Sequence, residues 1–207
     1  MGKFSVVVLD FETTGLSPDG GDRAIEIGAV LIRDNRIVDR FESLMNPGMK
    51  VSGFIEEYTG ISNRMLAAAP SIAEVMPRFY RFIDGLPLVA HNASFDRRFL
   101  DAEMRRLNLE RTQEFACSMR LSHRLYPEAP GHSLEKLVRY KKLKTDGVHH
   151  RALADAEMTG HLWLSMVADL KTAYGFRHVP FELMRELATV RKSKAASFLS
   201  KAAKLQG

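Results

Sequence analysis

The 207-residue sequence predicts an α/β fold built on a mixed sheet, and three observations carry that reading. Three β-branched or apolar runs stand close together near the start; segments of helical period then alternate with short apolar runs; and no element recurs as an internal repeat. Residues 4–9 (FSVVVL) read as a buried strand. Residues 24–32 (AIEIGAVLI) and 36–44 follow, parted by Arg33-Asp34-Asn35, a polar turn of hairpin length, so three successive strands in antiparallel connection are expected. Residues 70–83 place Ile72, Val75, Met76, Phe79 and Phe82 or Ile83 at helical spacing, with Ser71 beside Pro70 as the start signal. After Gly85, residues 86–90 read as another buried strand.

Residues 94–107 predict a helix with Phe95, Phe99, Ala102 and Leu107 on one stripe. A short strand at 114–117 and helices near 119–126 and 133–140 come next, the second with Ser133 as N-cap. Residues 144–149 read as a loop. Residues 151–174 form the longest helix, with Ala152, Met158, Leu162, Met166 and Leu170 inward and Gly175 as its stop. This order divides the chain into an α/β domain, 1–174, and a helical extension with a basic tail, 175–207.

Composition narrows the chemistry. Cys117 is the single cysteine, which excludes an internal disulfide framework and a thiolate-only metal site. The first apolar run ends at Asp10, too short for a signal peptide or a membrane span, so a cytoplasmic location is expected. The formal charge of +5 is unevenly spread: residues 1–96 hold 9 basic and 13 acidic residues, whereas 97–144 hold 12 and 6. The tail adds Arg191, Lys192, Lys194, Lys201 and Lys204 with no acid. An acidic first half therefore faces a basic middle, in which Arg139–Lys144 (RYKKLK) reads either as a solvated helix end or as a track for phosphates.

Asp10 and Glu12 end the first strand, and residues two apart on a strand share a face, so both carboxylates point together. Thr13-Thr14-Gly15-Leu16 after them is a turn able to bring backbone N–H groups near an anion. Asp96 falls in the first turn of the helix that follows His91-Asn92-Ala93-Ser94-Phe95; taken alone, it reads as a carboxylate favoured by a helix N-terminus. Asp155 lies at the start of the longest helix behind His149-His150. Five residues turn a helix by about 500°, so a histidine facing the same site as Asp155 belongs to the preceding loop. Asp10, Glu12, Asp96 and Asp155 are four oxygen donors with no thiolate, a set that selects Mg²⁺ or Mn²⁺ over structural zinc. Two such cations would cancel the mutual repulsion of these acids and suit in-line phosphoryl displacement. A histidine, ordinarily titrating near about 6.5, suits the removal of a proton from water at neutral pH.

The segments VVVLDFETTGLSP, VAHNASFDRRFL and HRALADAEMTG resemble, in order and spacing, the three exonuclease motifs of the DEDDh branch of the DnaQ-like superfamily. That branch includes the proofreading epsilon subunit of bacterial DNA polymerase III. EYTGISNRMLAAAPS and RLYPEAPGHSLEKL resemble its intermediate stretches, so the similarity runs from residue 4 to about 170. The resemblance implies a ribonuclease H-like fold, a five-stranded mixed sheet flanked by helices, and 3′→5′ hydrolysis of nucleic acid to nucleoside monophosphates. It makes Asp10, Glu12, Asp96 and Asp155 the ligands of two divalent cations, Mg²⁺ or Mn²⁺, and His150, not His149, the general base. Thr13, Gly15 and Leu16 match the turn that meets the terminal nucleotide, and Asn92 and Phe95 match positions lining its pocket; Thr59 stands where the epsilon subunit has a histidine. The expected partner is a single-stranded 3′ end, DNA ahead of RNA, with a DNA polymerase subunit as a further one. Two other readings stay open: an RNA-trimming member of the superfamily, and a polymerase-docking subunit using the stripe Phe181, Leu183, Met184, Leu187 and Val190, for which packing on this chain's own domain is the preferred alternative.

Overall fold

The computed structural model describes residues 5–143 and 151–206. Strands β1 (Ser5–Thr13), β2 (Ala24–Arg33) and β3 (Arg36–Leu44) are antiparallel neighbours. Asp34 and Asn35 both take positive φ, 51° and 62°, which lets a two-residue turn follow the twist of its strands. Two short strands, β4 (Leu88–Ala90) and β5 (Phe115–Cys117), add in parallel on the other side of β1, giving the order β3-β2-β1-β4-β5. The expected five-stranded mixed sheet is present. Strand β1 outruns its apolar stretch because Asp10 and Glu12 still pair, opposite Gly28 and Glu26 of β2.

Three helices separate β3 from β4: α1 (Gly53–Thr59), α2 (Asn63–Ala68) and α3 (Ile72–Ile83). Periodicity gives no sign of the first two, since Thr59 and Leu66 are their buried residues. Serine caps define them instead: Ser52 Oγ accepts from Ile55 N at 3.4 Å, and Ser62 Oγ from Met65 N at 3.2 Å. Helix α3 opens with a reciprocal box in which Ser71 Oγ accepts from Glu74 N and the Glu74 carboxylate accepts from Ser71 N.

Helix α4 (Ser94–Arg106) follows β4 and keeps the expected stripe, with Phe99 and Ala102 buried and Phe95 and Leu107 against the same core, but adds two acids to it. Phe95 and Leu107 are half-buried, while Asp96 and Glu103 are buried beside Phe99, Leu100 and Met104. Glu103 tolerates burial because Arg23 Nε at 2.9 Å, Arg106 at 3.2 Å and Ala24 N at 3.2 Å meet its carboxylate. Helices α5 (Ser118–Leu125), α6 (Leu134–Tyr140) and α7 (Ala152–Tyr174) complete the domain. Ser133 holds the N-cap position of α6 without a side-chain cap bond. In the basic stretch ahead of α7, Arg139 and Lys141 pair with Glu135 and Asp169.

The sheet divides the core. Val7, Leu9 and Phe11 face α3 and α4, and Val6 and Val8 face α7. Helices α8 (Phe181–Leu187) and α9 (Ala195–Lys204) close over the α7 side, where Phe176, Phe181, Met184, Leu187 and Leu199 join one cluster with Trp163. Of the two uses open to the stripe, packing on this chain's own domain is the one present: Phe181, Leu183, Met184 and Leu187 are buried in its core and Val190 is half-buried. Among the described residues, no helix is long and apolar enough to cross a membrane.

Candidate active site

The face of β1 that carries Val6 and Val8 continues with Asp10 and Glu12, so the apolar row gives way to carboxylates where α7 begins. Asp155, in the first turn of α7, completes the group: Asp10, Glu12 and Asp155 each offer an oxygen within 4.8 Å of the others. Asp96 enters from α4, buried, with Oδ1 accepting from Phe11 N at 3.2 Å. It stands outside the three-oxygen group but is the strongest charged neighbour of Asp10. His149 and His150 lie outside the described residues.

The electrostatics are those of an anion cluster short of cations. Burial, and then the charges of Asp96, Asp155, Glu12 and Glu26, hold the Asp10 carboxyl well above the usual range. Burial and its acidic neighbours push Glu12 up to about 8, against which Arg151 pulls down. Burial lifts Asp96 to about 7 despite the N–H groups bonded to it. A buried all-oxygen set in which Asp10 and Glu12 are penalised by their acidic neighbours fits a hard divalent cation, whose charge would offset that repulsion.

A pH dependence follows. Because Glu12 and Asp96 titrate higher in the folded chain than their ordinary 4.5 and 3.8, these two carboxyls hold more protons in the folded chain than in the unfolded one up to about pH 8. Their contribution to the stability of the cation-free protein is fullest below the ordinary carboxylate pKa and is lost as pH rises through about 7–8. Unfolding midpoints in chelator are expected to fall from about pH 6.5 to about pH 8.5, above the range in which the depressed titration of His91 contributes the opposite slope, and added Mn²⁺ should restore more at the alkaline end. A midpoint that rises across that range would contradict this account of the cluster.

Around the acids lies a cleft of about 750 Å³ lined by Thr13, Gly15, Leu16, Phe54, Tyr58, Asn92 and Phe95, among others. Thr13 Oγ1 donates to Gly15 O at 2.6 Å, and Asp22 accepts from Thr14 Oγ1 and Ser17 N at 3.1 and 2.8 Å. These bonds fasten the turn that holds Leu16 outward, 76% exposed. Asn92 has φ 66°, and Phe95 packs on Phe99 at 4.9 Å between ring centroids. Thr59 also borders the cleft, but its hydroxyl donates to Ile55 O and accepts from Ile61 N. His91 lies deeper, its ring nitrogens on Ser118 Oγ and His132 O; burial pushes it down to about 4, so it is a neutral structural residue.

Two lining residues escape sequence reasoning. Phe54 and Tyr58, four apart on α1, stack at 6.0 Å with 13° between ring planes, yet are 71% and 51% exposed. Burial, then the carboxylates of Glu12, Asp155 and Asp10, push the Tyr58 hydroxyl up, which marks this ring as the near neighbour of the acids. The available signal was the aromatic pair itself, at i, i+4 spacing just after a serine N-cap candidate.

Comparison with known proteins agrees with this geometry. A family model described as Exonuclease matches residues 7–162. The PolC-type DNA polymerase III of Caldanaerobacter subterraneus subsp. tengcongensis is 41% identical over 165 residues, which is 80% of this chain and 12% of that protein. The 3′-5′ exonuclease DinG of Bacillus subtilis is 35% identical over 188 residues, 90% of this chain and 19% of that one. The chain thus spans under a fifth of these relatives. Among solved structures, exonuclease X in complex with 5′ overhanging duplex DNA matches with a TM-score of 0.68 and 29% identity, covering 88% of this chain and 99% of that one. The nuclease domain of 3′hExo, a DEDDh family member bound to rAMP, shares the fold at 19% identity and a TM-score of 0.69.

Proposed function

This chain belongs to the exonuclease family, and from that premise we propose that it is a 3′-5′ exonuclease of the DEDDh type that removes nucleotides from single-stranded 3′ ends, DNA ahead of RNA, with two bound divalent cations, Mg²⁺ or Mn²⁺. One observation carries the reading: three carboxylates from a strand end and a helix start converge within 4.8 Å on the floor of a cleft rimmed by exposed apolar side chains. Asp10, Glu12, Asp96 and Asp155 would hold the cations, which when bound supply charge neutralisation and Lewis acidity at the scissile phosphate. His150 takes a proton from the attacking water; the new bond forms from that oxygen to phosphorus, the bond from phosphorus to the 3′-oxygen of the preceding nucleotide breaks, that oxygen keeps the electron pair and takes a proton from solvent to become the new 3′-hydroxyl, and a nucleoside 5′-monophosphate leaves. Thr13, Gly15 and Leu16 meet the terminal nucleotide, and Asn92 and Phe95 border its base. The named partners of the relatives favour DNA and a polymerase assembly, and a cytoplasmic location accords with both.

The test is degradation of a 5′-labelled DNA strand, and of the matched RNA strand, by purified protein with Mn²⁺. DNA is expected to be shortened one nucleotide at a time and faster than RNA; two intact strands would end the proposal, and faster RNA loss would reassign the substrate.

Phe54 and Tyr58 add a platform for unpaired bases. Stacking on an aromatic ring contributes about 1–3 kcal/mol per base. Phe54→Ala and Tyr58→Ala together are therefore expected to raise KM for a single strand about tenfold or more, with kcat at saturation little changed. An unchanged KM would place the strand elsewhere.

A further inference from the structure

The α7-facing row of β2 carries a second buried anion that the site does not use. Glu26 is fully buried, stands opposite Glu12 in the β1–β2 register, and adds to the repulsion felt by both Asp10 and Glu12. A carboxylate there costs the cluster something, and a neutral side chain would fill the same space. Its oxygens are fully engaged, however. Arg151 Nε lies 3.1 and 3.2 Å from the two oxygens and Arg151 Nη2 2.7 Å from one, while Ala152 N donates at 3.0 Å. Arg151 is the N-cap residue of α7 and makes no side-chain cap of its own, so an acceptor from the sheet caps the helix instead.

Resting on the reading of the site as a cation centre, we infer that Glu26 and Arg151 are positioning residues, a forked clasp that fixes the first turn of α7 so that Asp155 meets Asp10 and Glu12 and the site gains its cation affinity. The chain from clasp to ligand is one helical turn, closed by Asp155 N donating to Arg151 O at 3.0 Å. The turn also sits directly on the sheet: a Cβ on Gly28, the next residue in the β2 row, would lie 2.1 Å from the Ala152 carbonyl carbon. Movement toward the sheet is thus blocked by contact, and movement away is resisted by the fork. A guanidinium suits this task because its two parallel donors set direction as well as distance, which an ammonium does not. Another ion pair between the sheet and α7, Arg40 with Glu157, is more exposed and touches none of these groups.

The test is Mn²⁺ affinity, read from the electron paramagnetic resonance signal of free ion and so independent of turnover, with the unfolding midpoint in chelator measured alongside. Arg151→Lys is expected to weaken Mn²⁺ binding by about 10–100-fold, the usual cost of losing a group that orients a metal ligand, and to lower kcat while leaving KM for the oligonucleotide within about twofold. Arg40→Ala should leave Mn²⁺ binding unchanged. If Arg151→Lys does not fold, Glu26→Gln with Arg151→Gln, which buries no charge, carries the same expectation. Wild-type affinity in the folded variant, with or without a lowered midpoint, overturns the inference and reduces the clasp to a structural pair. A wild-type protein that binds no Mn²⁺ fails at the earlier step and removes the cation centre itself.

Discussion

Asp10→Ala is expected to cut degradation of a labelled single strand by about a thousandfold or more while leaving the cation-free protein at least as stable as the wild type. The first half follows from its place: groups that merely orient a metal ligand typically cost about 10–100-fold when lost, and Asp10 is proposed as a ligand itself. The second half follows from its surroundings. Burial and four neighbouring acids all raise its carboxyl, so the ionised side chain works against the folded state whenever no cation is present. Mn²⁺ at about a hundredfold excess over its Kd should stabilise the wild type by about 2.7 kcal/mol, or about 5–10 °C for a domain of this size. That shift should largely vanish in the variant. Asp10→Asn, which keeps the volume, separates charge from packing and should behave alike. An Asp10→Asn protein with normal turnover and a normal Mn²⁺ shift would remove Asp10 from the site.

The sequence makes Asp10 conspicuous because strand alternation is a local rule: Val6 and Val8 show which face the next two even positions take. The antiparallel hairpin, α3 with its Ser71–Glu74 box, and α7 with its long inward stripe are legible for the same reason, since each is specified by neighbours within a turn or two. What local reading misses is set at long range. Asp96 reads alone as a helix-start carboxylate, and its bond to Phe11 N crosses from one motif to another. Glu26 and Glu103 look like surface acids until Arg151 and Arg23, far along the chain, are found to meet them in the interior. Helix α1 escapes because its caps define it and its aromatic pair points outward into the cleft, so no apolar period announces it. The family resemblance supplies the joint identity of the acids, and His150 rests on that resemblance alone.

Gly28 looks in the sequence like a weak point in a strand, and Gly28→Ala is expected to be among the most damaging small substitutions in the chain. Its φ is ordinary; the constraint is space. A Cβ there would lie 2.1 Å from the Ala152 carbonyl carbon and from Leu153 N, and 2.4 Å from the Ala152 carbonyl oxygen, all backbone atoms with no rotamer to yield. The start of α7 would have to lift by an ångström or more, carrying Asp155 away from Asp10 and Glu12 and drawing Ala152 N from Glu26. Overpacking of this kind costs about 1–3 kcal/mol, which is about 2–12 °C in the unfolding midpoint. A misplacement near 1 Å can cost about 100-fold in rate. Turnover should therefore fall by about 100-fold or more, out of proportion to stability, and excess Mn²⁺ should recover part of it. Gly160→Ala, on the same helix, is the comparison. Its Cβ would meet a Val30 methyl at 3.2 Å, a contact that side-chain adjustment can relieve. That variant is expected to lose some stability with turnover near normal, because the strain lies about one and a half helical turns beyond Asp155 and on atoms able to move. Equal effects of the two substitutions on Mn²⁺ affinity would show that the seating of α7 on Gly28 does not set the geometry of the carboxylates.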